Sequence, residues 1–115
     1  MQNRSNKELC LYYLKKYAEK DFKAMQELFA ENIILRDWKI RVVGIDKALA
    51  ETKKNFEEAQ TITIEILSTY ENLDTVAAEL KILVNGTEEL YVVDVITFNA
   101  EGKVISIRAY KGRGD

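Results

Sequence analysis

Histidine and proline are absent from this 115-residue chain, and Cys10 is its single cysteine. Without histidine, the chain lacks the usual zinc ligand sets and the base that activates most serine and cysteine nucleophiles. A single cysteine cannot form an internal disulfide bond. Acid–base chemistry in this protein would therefore have to use Asp, Glu, Lys or Tyr side chains.

Strong charge of one sign and long apolar runs are also missing. The net charge is −2, with acidic and basic residues mixed along the chain, which predicts neither a nucleic-acid surface nor a basic membrane-binding face. No apolar run is long enough to cross a membrane, and the N-terminal stretch MQNRSNKEL has no hydrophobic signal region. We therefore expect a cytoplasmic protein with one domain over residues 1–115.

The first half of the chain shows helical spacing of its apolar residues. Ser5 or Asn6 is suited to cap a first helix through KELCLYYLKKYAEK, and Asp21 to cap a second through FKAMQELFAE. A short strand, NIILRDW, comes next. KIRVVG either pairs back on it or leads into a third helix, IDKALAETKKNFEEA.

The second half contains four predicted strands, TITIEILSTY, TVAAELKILV, ELYVVDVITF and KVISIRAYK. The segments between them, ENLD, NGTE and NAEG, are typical of tight turns. Consecutive strands with tight turns form an antiparallel meander. The sequence therefore predicts an α+β fold, with three N-terminal helices packed on a curved antiparallel sheet.

Two carboxylates interrupt apolar strand faces. Strand alternation places Asp94 on one face with Leu90, Val92, Ile96 and Phe98. An unpaired carboxylate there is costly, so it must either find hydrogen-bond partners or stay protonated.

Asp37 ends a similar row that contains Ile33 and Leu35. Together the two acids suggest a pocket. The pattern fits equally well a solvated strand end at Asp37 and a buried structural acid at Asp94.

Two segments, YLKKYAEKDFKAMQELFAENIILRDW and YVVDVITFNAEGKVISIRAY, resemble the ketosteroid-isomerase and SnoaL-like superfamily. The resemblance covers nearly the whole chain and includes an acid-capped second helix and a strand that ends in Asp. Proteins of this superfamily share the cone-shaped fold of nuclear transport factor two. The resemblance therefore implies a cone in which the helices close one side of the sheet around an internal pocket.

Ketosteroid isomerases remove a proton next to a carbonyl with an aspartate base, and a tyrosine and a protonated aspartic acid hold the dienolate oxygen. By resemblance, Asp37 is the base, Asp94 is the protonated acid, and Tyr13 is the tyrosine. Tyr13 is assigned this role because it stands eight positions before Asp21. In ketosteroid isomerases the tyrosine has the same spacing from the acidic residue that opens the second helix. This chemistry implies a small apolar ligand that contains a carbonyl group, and it needs no metal or other cofactor.

The expected pocket wall departs from the isomerase pattern at several positions. Thr52 and Lys111 replace a pocket tyrosine and a pocket tryptophan, and Trp38 stands where many relatives have proline. These differences favour a ligand that is smaller or more polar than a steroid. The residues expected to line the pocket are Leu35, Trp38, Thr52, Phe56, Val92, Ile96 and Lys111.

Other activities of the superfamily remain open on the sequence. A non-catalytic module for ligand binding or assembly needs none of these protonation states, and a polyketide-cyclase-like enzyme would use a similar acid. Epoxide-hydrolase-like members use an Asp–Arg–Asp arrangement, whereas strand alternation points Arg36 away from Asp37. Scytalone-dehydratase-like chemistry uses histidine, which the chain lacks.

The opposite face of the Asp94 strand is apolar as well. Tyr91, Val93, Val95 and Thr97 lie on that face, and the fold implied by the resemblance has no helices there. An exposed apolar face of this kind is typical of an interface. We expect a symmetric homodimer that packs sheet against sheet, which the resemblance also implies.

Overall fold

Three helices and a single six-stranded sheet make up the computed structural model, which describes residues 4–114. The helices are α1 (Asn6–Ala18), α2 (Phe22–Leu28) and α3 (Ile45–Glu58). The strands are β1 (Phe29–Arg36), β2 (Arg41–Val43), β3 (Ile62–Asn72), β4 (Thr75–Val84), β5 (Glu88–Phe98) and β6 (Val104–Lys111). This arrangement confirms the predicted α+β class.

The sheet has the strand order β2-β1-β6-β5-β4-β3 and is mostly antiparallel. The predicted antiparallel sheet is confirmed except at one pairing, because β1 runs parallel to β6, with Leu35 opposite Ile107. The chain leaves β1, forms α3 and the β3–β5 meander, and returns beside β1 in the same direction. The tight turns of the second half predict its hairpins, whereas this long-range pairing has no local signal.

Local capping explains where the first two helices begin. The Ser5 hydroxyl accepts a hydrogen bond from the Glu8 N–H, and the Glu8 carboxylate accepts one from the Ser5 N–H, which forms a capping box. The Asp21 carboxylate caps α2 by accepting from Ala24 N–H at 3.0 Å. Helix α2 ends earlier than predicted, because Phe29 adopts an extended backbone and pairs with Val104 in the sheet.

The helices cover the inner face of the sheet unevenly. At one end, Val76, Ile96, Phe98 and Val104 pack with helix residues such as Leu14 in a fully buried core. At the other end, the inward side chains of the same strands face an open cavity. Among residues 4–114, no helix combines the length and the apolar character needed to cross a membrane.

Candidate active site

The cavity lies between the inner face of the sheet, helices α1 and α3, and the turn that follows β1. We call this space the inner cavity. Its volume of about 370 Å³ is near the lower end of the range for small-molecule sites. The aliphatic part of its wall comes mainly from β3 to β6, including Ile64, Ile82, Val92 and Ile107. Such a wall suits a compact apolar ligand.

Asp94 lies at the boundary between the buried core and the inner cavity. On its own strand, the inward residue on the core side, Ile96, is fully buried, and the one on the other side, Val92, lines the cavity. Its neighbours on adjacent strands are Ala78 and Ala109. Directly opposite residues share a face of the sheet, so two methyl groups flank the carboxyl and leave space above it.

The protonation of Asp94 is strongly perturbed by this position. Burial, together with the negative charge of Asp37, raises the pKa of Asp94 from 3.8 to about 7. Part of the side chain stays accessible to the cavity. A large fraction of the protein therefore carries a neutral Asp94 near pH 7, which can donate a hydrogen bond to a ligand.

Tyr13 contributes a phenol to the same cavity from helix α1. Its side chain is only 5% exposed, and burial followed by the nearby Asp94 raises its pKa well above the usual value. Among the described residues, no buried polar side-chain atom lacks a hydrogen-bond partner, and no protein group bonds to the Tyr13 hydroxyl. The hydroxyl must therefore reach the cavity, where it remains protonated and able to donate.

Asp37 is held in the turn between β1 and β2. Its Oδ1 accepts hydrogen bonds from the backbone N–H groups of Lys39 at 2.7 Å and Ile40 at 2.9 Å. Its own N–H donates to the Ile40 carbonyl at 3.0 Å. These bonds occupy Oδ1, whereas Oδ2 accepts no hydrogen bond within residues 4–114, and Asp37 lines the cavity wall.

The residues expected to line the pocket separate into two groups. Leu35, Trp38, Thr52 and Val92 lie in the cavity wall, and the Thr52 hydroxyl donates to the Ala48 carbonyl of its own helix at 2.9 Å.

The remaining three lie outside the wall. Phe56 packs edge-on against Tyr17, and Ile96 is enclosed in the core. The Lys111 ammonium lies 5.9 Å from the centre of the Trp38 ring. Strand alternation places Ile96 on the same face as the cavity residues. It could not show that this part of the face is buried in the core.

A polar pair that the sequence did not single out also belongs to the wall. Tyr17 lies one helical turn after Tyr13 and reaches the inner cavity. Asn55 of α3 donates from Nδ2 to the Tyr17 hydroxyl at 3.2 Å. The signal was present, since residues four positions apart share a helix face. The contact with its partner Asn55 could not be recognised from the local sequence, because Asn55 lies on another helix.

Metal binding finds no support in the described residues. Within residues 4–114, no three Cys, Asp or Glu side chains are grouped closely enough to hold a metal ion. The polar residues of the cavity wall include two carboxylic acids, two phenols and an amide, from Asp37, Asp94, Tyr13, Tyr17 and Asn55, together with Lys39, Glu51, Thr52, Glu58, Asn85 and Glu88. This set can donate and accept hydrogen bonds and move protons.

Comparison with known proteins identifies the family to which this chain belongs. The family model of the SnoaL-like domain matches residues 11–107. The chain belongs to the SnoaL-like domain family. A search of curated proteins found no significant match to this SnoaL-like protein.

Solved structures of related proteins share the fold. An epoxide hydrolase/cyclase-like enzyme, SalBIII, involved in pyran ring formation in the polyether salinomycin, is 28% identical; the match covers 93% of this chain and 90% of that one, with a TM-score of 0.81. An NTF2-like protein of unknown function from Cytophaga hutchinsonii is 15% identical, with coverage of 97% and 95% and a TM-score of 0.79.

A candidate ketosteroid isomerase from Kribbella flavida is also 15% identical, with coverage of 93% and 77% and a TM-score of 0.79. At such low identity the last two likenesses describe the fold alone.

Proposed function

We propose that this protein is a cofactor-free acid–base enzyme that isomerises a small unsaturated ketone. Asp37 acts as the general base, and Tyr13 and Asp94 form the oxyanion hole. The observation that carries the proposal is the raised pKa of Asp94, about 7, in a cavity that also contains Asp37 and Tyr13. The site thereby brings a carboxylic acid that can stay neutral together with a second carboxyl group, the combination that the proposed acid–base reaction uses.

The proposed reaction has two proton transfers. The Asp37 carboxylate removes a proton from the carbon next to the carbonyl, and the electron pair of that C–H bond moves toward the carbonyl oxygen to give a dienolate. Tyr13 and neutral Asp94 donate hydrogen bonds to the oxygen as its charge develops. Asp37 then returns the proton to the distal carbon of the dienolate, the carbonyl re-forms and the double bond has moved.

The aliphatic wall favours this chemistry in two ways. It raises the pKa of Asp94, because the ionised form loses hydration there. It also strengthens hydrogen bonds to the dienolate, because few water molecules compete inside a low-dielectric site. The volume of about 370 Å³ supports a compact substrate.

Binding of a phenol tests the oxyanion hole without knowledge of the substrate. 2-Naphthol mimics the dienolate oxygen, so we expect it to bind the wild type and to bind Tyr13→Phe and Asp94→Ala at least tenfold more weakly. Tyr12→Phe is a matched control, because Tyr12 lies on the same helix and its ring contacts Arg4 instead of the cavity. Equal binding by wild type, Tyr13→Phe and Asp94→Ala would contradict the proposal and favour a non-catalytic binding module.

Epoxide opening is the second candidate, and the 28% identity with the epoxide hydrolase/cyclase-like SalBIII favours it. Here neutral Asp94 would donate its proton to the epoxide oxygen as the C–O bond breaks, and Asp37 would take the proton of the attacking hydroxyl group. Arg36 is not given a role, since it lies outside the cavity wall and its guanidinium donates to Tyr110 at 2.7 Å. Turnover of an epoxy alcohol, with no turnover of enones, would favour this candidate.

We further propose that two copies associate through the outer face of the sheet. Val93, Val95 and Thr97 are only partly exposed there, next to Tyr110, which is 47% exposed. The C-terminal tail covers one side of this face, because Gly114 lies against the Tyr91 ring. The central strands β5 and β6 would therefore form most of the contact.

A further inference from the structure

Tyr17 and Asn55 supply a hydrogen-bond donor that the proposed isomerisation does not use. We propose that Tyr17, oriented by Asn55, binds a second oxygen of the substrate. The substrate class is then a carbonyl compound that carries a further hydroxyl or carbonyl group. This inference rests on the proposed function, because Tyr13 and Asp94 are taken to hold the first oxygen.

The direction of the Tyr17 hydroxyl follows from its contact with Asn55. The Asn55 amide donates to the phenol oxygen at 3.2 Å, so the proton of the phenol is not used in that bond. Within residues 4–114, no acceptor takes this proton. Because Tyr17 lies in the cavity wall, the free proton is available to a ligand.

Packing holds the Tyr17 ring in one place. The ring meets Phe56 edge-on with centroids 5.0 Å apart, and it lies 5.9 Å from the Tyr13 ring. Asn55 fixes the phenol oxygen from helix α3. Aromatic contacts of this kind restrict a ring to a narrow range of orientations, so the donor is already positioned before a ligand enters.

The location of Tyr17 separates it from the oxyanion hole. Tyr13 is almost fully buried, whereas Tyr17 is partly exposed and its partner Asn55 is exposed. Tyr17 therefore lies between the buried end of the cavity and its opening. A ligand whose first oxygen reaches Tyr13 and Asp94 would present its outer part to Tyr17.

Electrostatic coupling supports this placement. Burial raises the pKa of Tyr17, the hydrogen bond from Asn55 lowers it, and the charges of Asp94 and Asp37 raise it further, with a net increase. The hydroxyl therefore lies within electrostatic reach of both carboxyls and stays protonated at neutral pH. It is suited to donate to a neutral oxygen next to the reacting atoms.

The inference is tested by comparing the binding of phenols that carry one hydroxyl group with the binding of phenols that carry two. We would measure dissociation constants of 2-naphthol and a panel of dihydroxynaphthalenes for the wild type, Tyr17→Phe, Asn55→Asp and the control Tyr12→Phe. One neutral hydrogen bond corresponds to about 2- to 12-fold in affinity. We expect at least one diol to bind the wild type and Tyr12→Phe tighter than 2-naphthol by such a factor.

The gain should disappear in Tyr17→Phe, which keeps the ring and loses only the hydroxyl. It should also disappear in Asn55→Asp, where a carboxylate would accept the Tyr17 proton. A diol gain that survives in Tyr17→Phe, or no gain for any diol in the wild type, would overturn the inference.

Failure of the proposed function gives a different pattern, because 2-naphthol would then bind Tyr13→Phe and Asp94→Ala as tightly as it binds the wild type. A wild type that binds none of these compounds would overturn both proposals.

Discussion

Asp94 faces the inner cavity from β5, and Asp37 faces it from the turn that follows β1, with β6 between the two strands. The pairing of Arg36 with Arg108 brings Asp37 to the level of Ala109, and Ala109 is itself paired with Asp94. Two inter-strand spacings place the two backbones about 10 Å apart. A small side chain stands between the carboxyls, so a ligand has room there and the charge of one acid still affects the other.

The raised pKa of Asp94 predicts a specific pH dependence of stability. Its folded-state pKa is about 7 against 3.8 ordinarily, so the native state holds the proton more tightly than the unfolded chain. The group's contribution is therefore most favourable below about pH 4 and is lost as the pH rises through 7. Relative to wild type, Asp94→Asn should gain at most about 4 kcal/mol in free energy of unfolding between pH 4 and pH 8.

Urea titrations across that pH range measure this difference. Because Asp94 remains partly accessible to the cavity, we expect a value below that maximum. The carboxyls that do not interact with Asp94 are common to the two proteins and cancel in the comparison, whereas Asp37 is coupled to Asp94. A constant difference between Asp94→Asn and wild type would show that Asp94 titrates normally.

Removal of the charge on Asp37 should lower the pKa of Asp94, because that charge is one of its two causes. Asp37→Asn keeps an oxygen that can accept from Lys39 and Ile40, so the turn and the free energy of unfolding should change little. The pKa of Asp94 is measured by the carboxyl chemical shift over a pH titration. An unchanged midpoint would mean that the two carboxyls do not interact.

Enlargement of Ala109 should close the gap between the two acids. Ala109→Leu places a branched side chain beside Asp94 and should weaken 2-naphthol binding at least tenfold, with a stability change of about 1–3 kcal/mol from overpacking. Ala50→Leu, at an exposed position on α3, is the control for the same change in side chain. Isothermal titration calorimetry gives the affinities, and undiminished binding would place the ligand elsewhere.

The proposed dimer contact on the outer face of the sheet can be tested by introducing a charged side chain there. Val95→Lys adds a cation at the centre of the proposed dimer contact, and light scattering during size-exclusion chromatography should then give a monomer mass. Val95 is already partly exposed, so the fold should tolerate the change. Ala100→Lys, in the exposed turn before β6, should keep the wild-type mass. If both variants and the wild type have the same mass, the outer face is not the contact.

Most of the fold could be predicted because its signals are local. The β4 strand agrees with its predicted range residue for residue, since turn sequences bound it on both sides. The parallel pairing of β1 with β6 could not be predicted from alternation, because its partners are far apart in the chain. The end of α2 was also misjudged, since sheet pairing decides the backbone of Phe29.

The candidate site was predictable to a different degree. Asp94 and Asp37 stood out because an acid on an apolar strand face is costly, and family resemblance drew attention to Tyr13. Tyr17 was overlooked because its partner Asn55 lies on another helix, 38 positions along the chain. Strand alternation gives the direction of Ile96 correctly, but only the packing of the helices shows that it ends in the core.

The turn that holds Asp37 has a stereochemical consequence. Because Lys39 and Ile40 both bind Oδ1, the proposed base has one oxygen, Oδ2, with which to take the proton and return it. A carboxylate held in this way cannot present its two oxygens to opposite sides of a flat dienolate. Proton transfer should therefore take place on a single face, and deuterium placed at the donor carbon should reappear on that same face of the product.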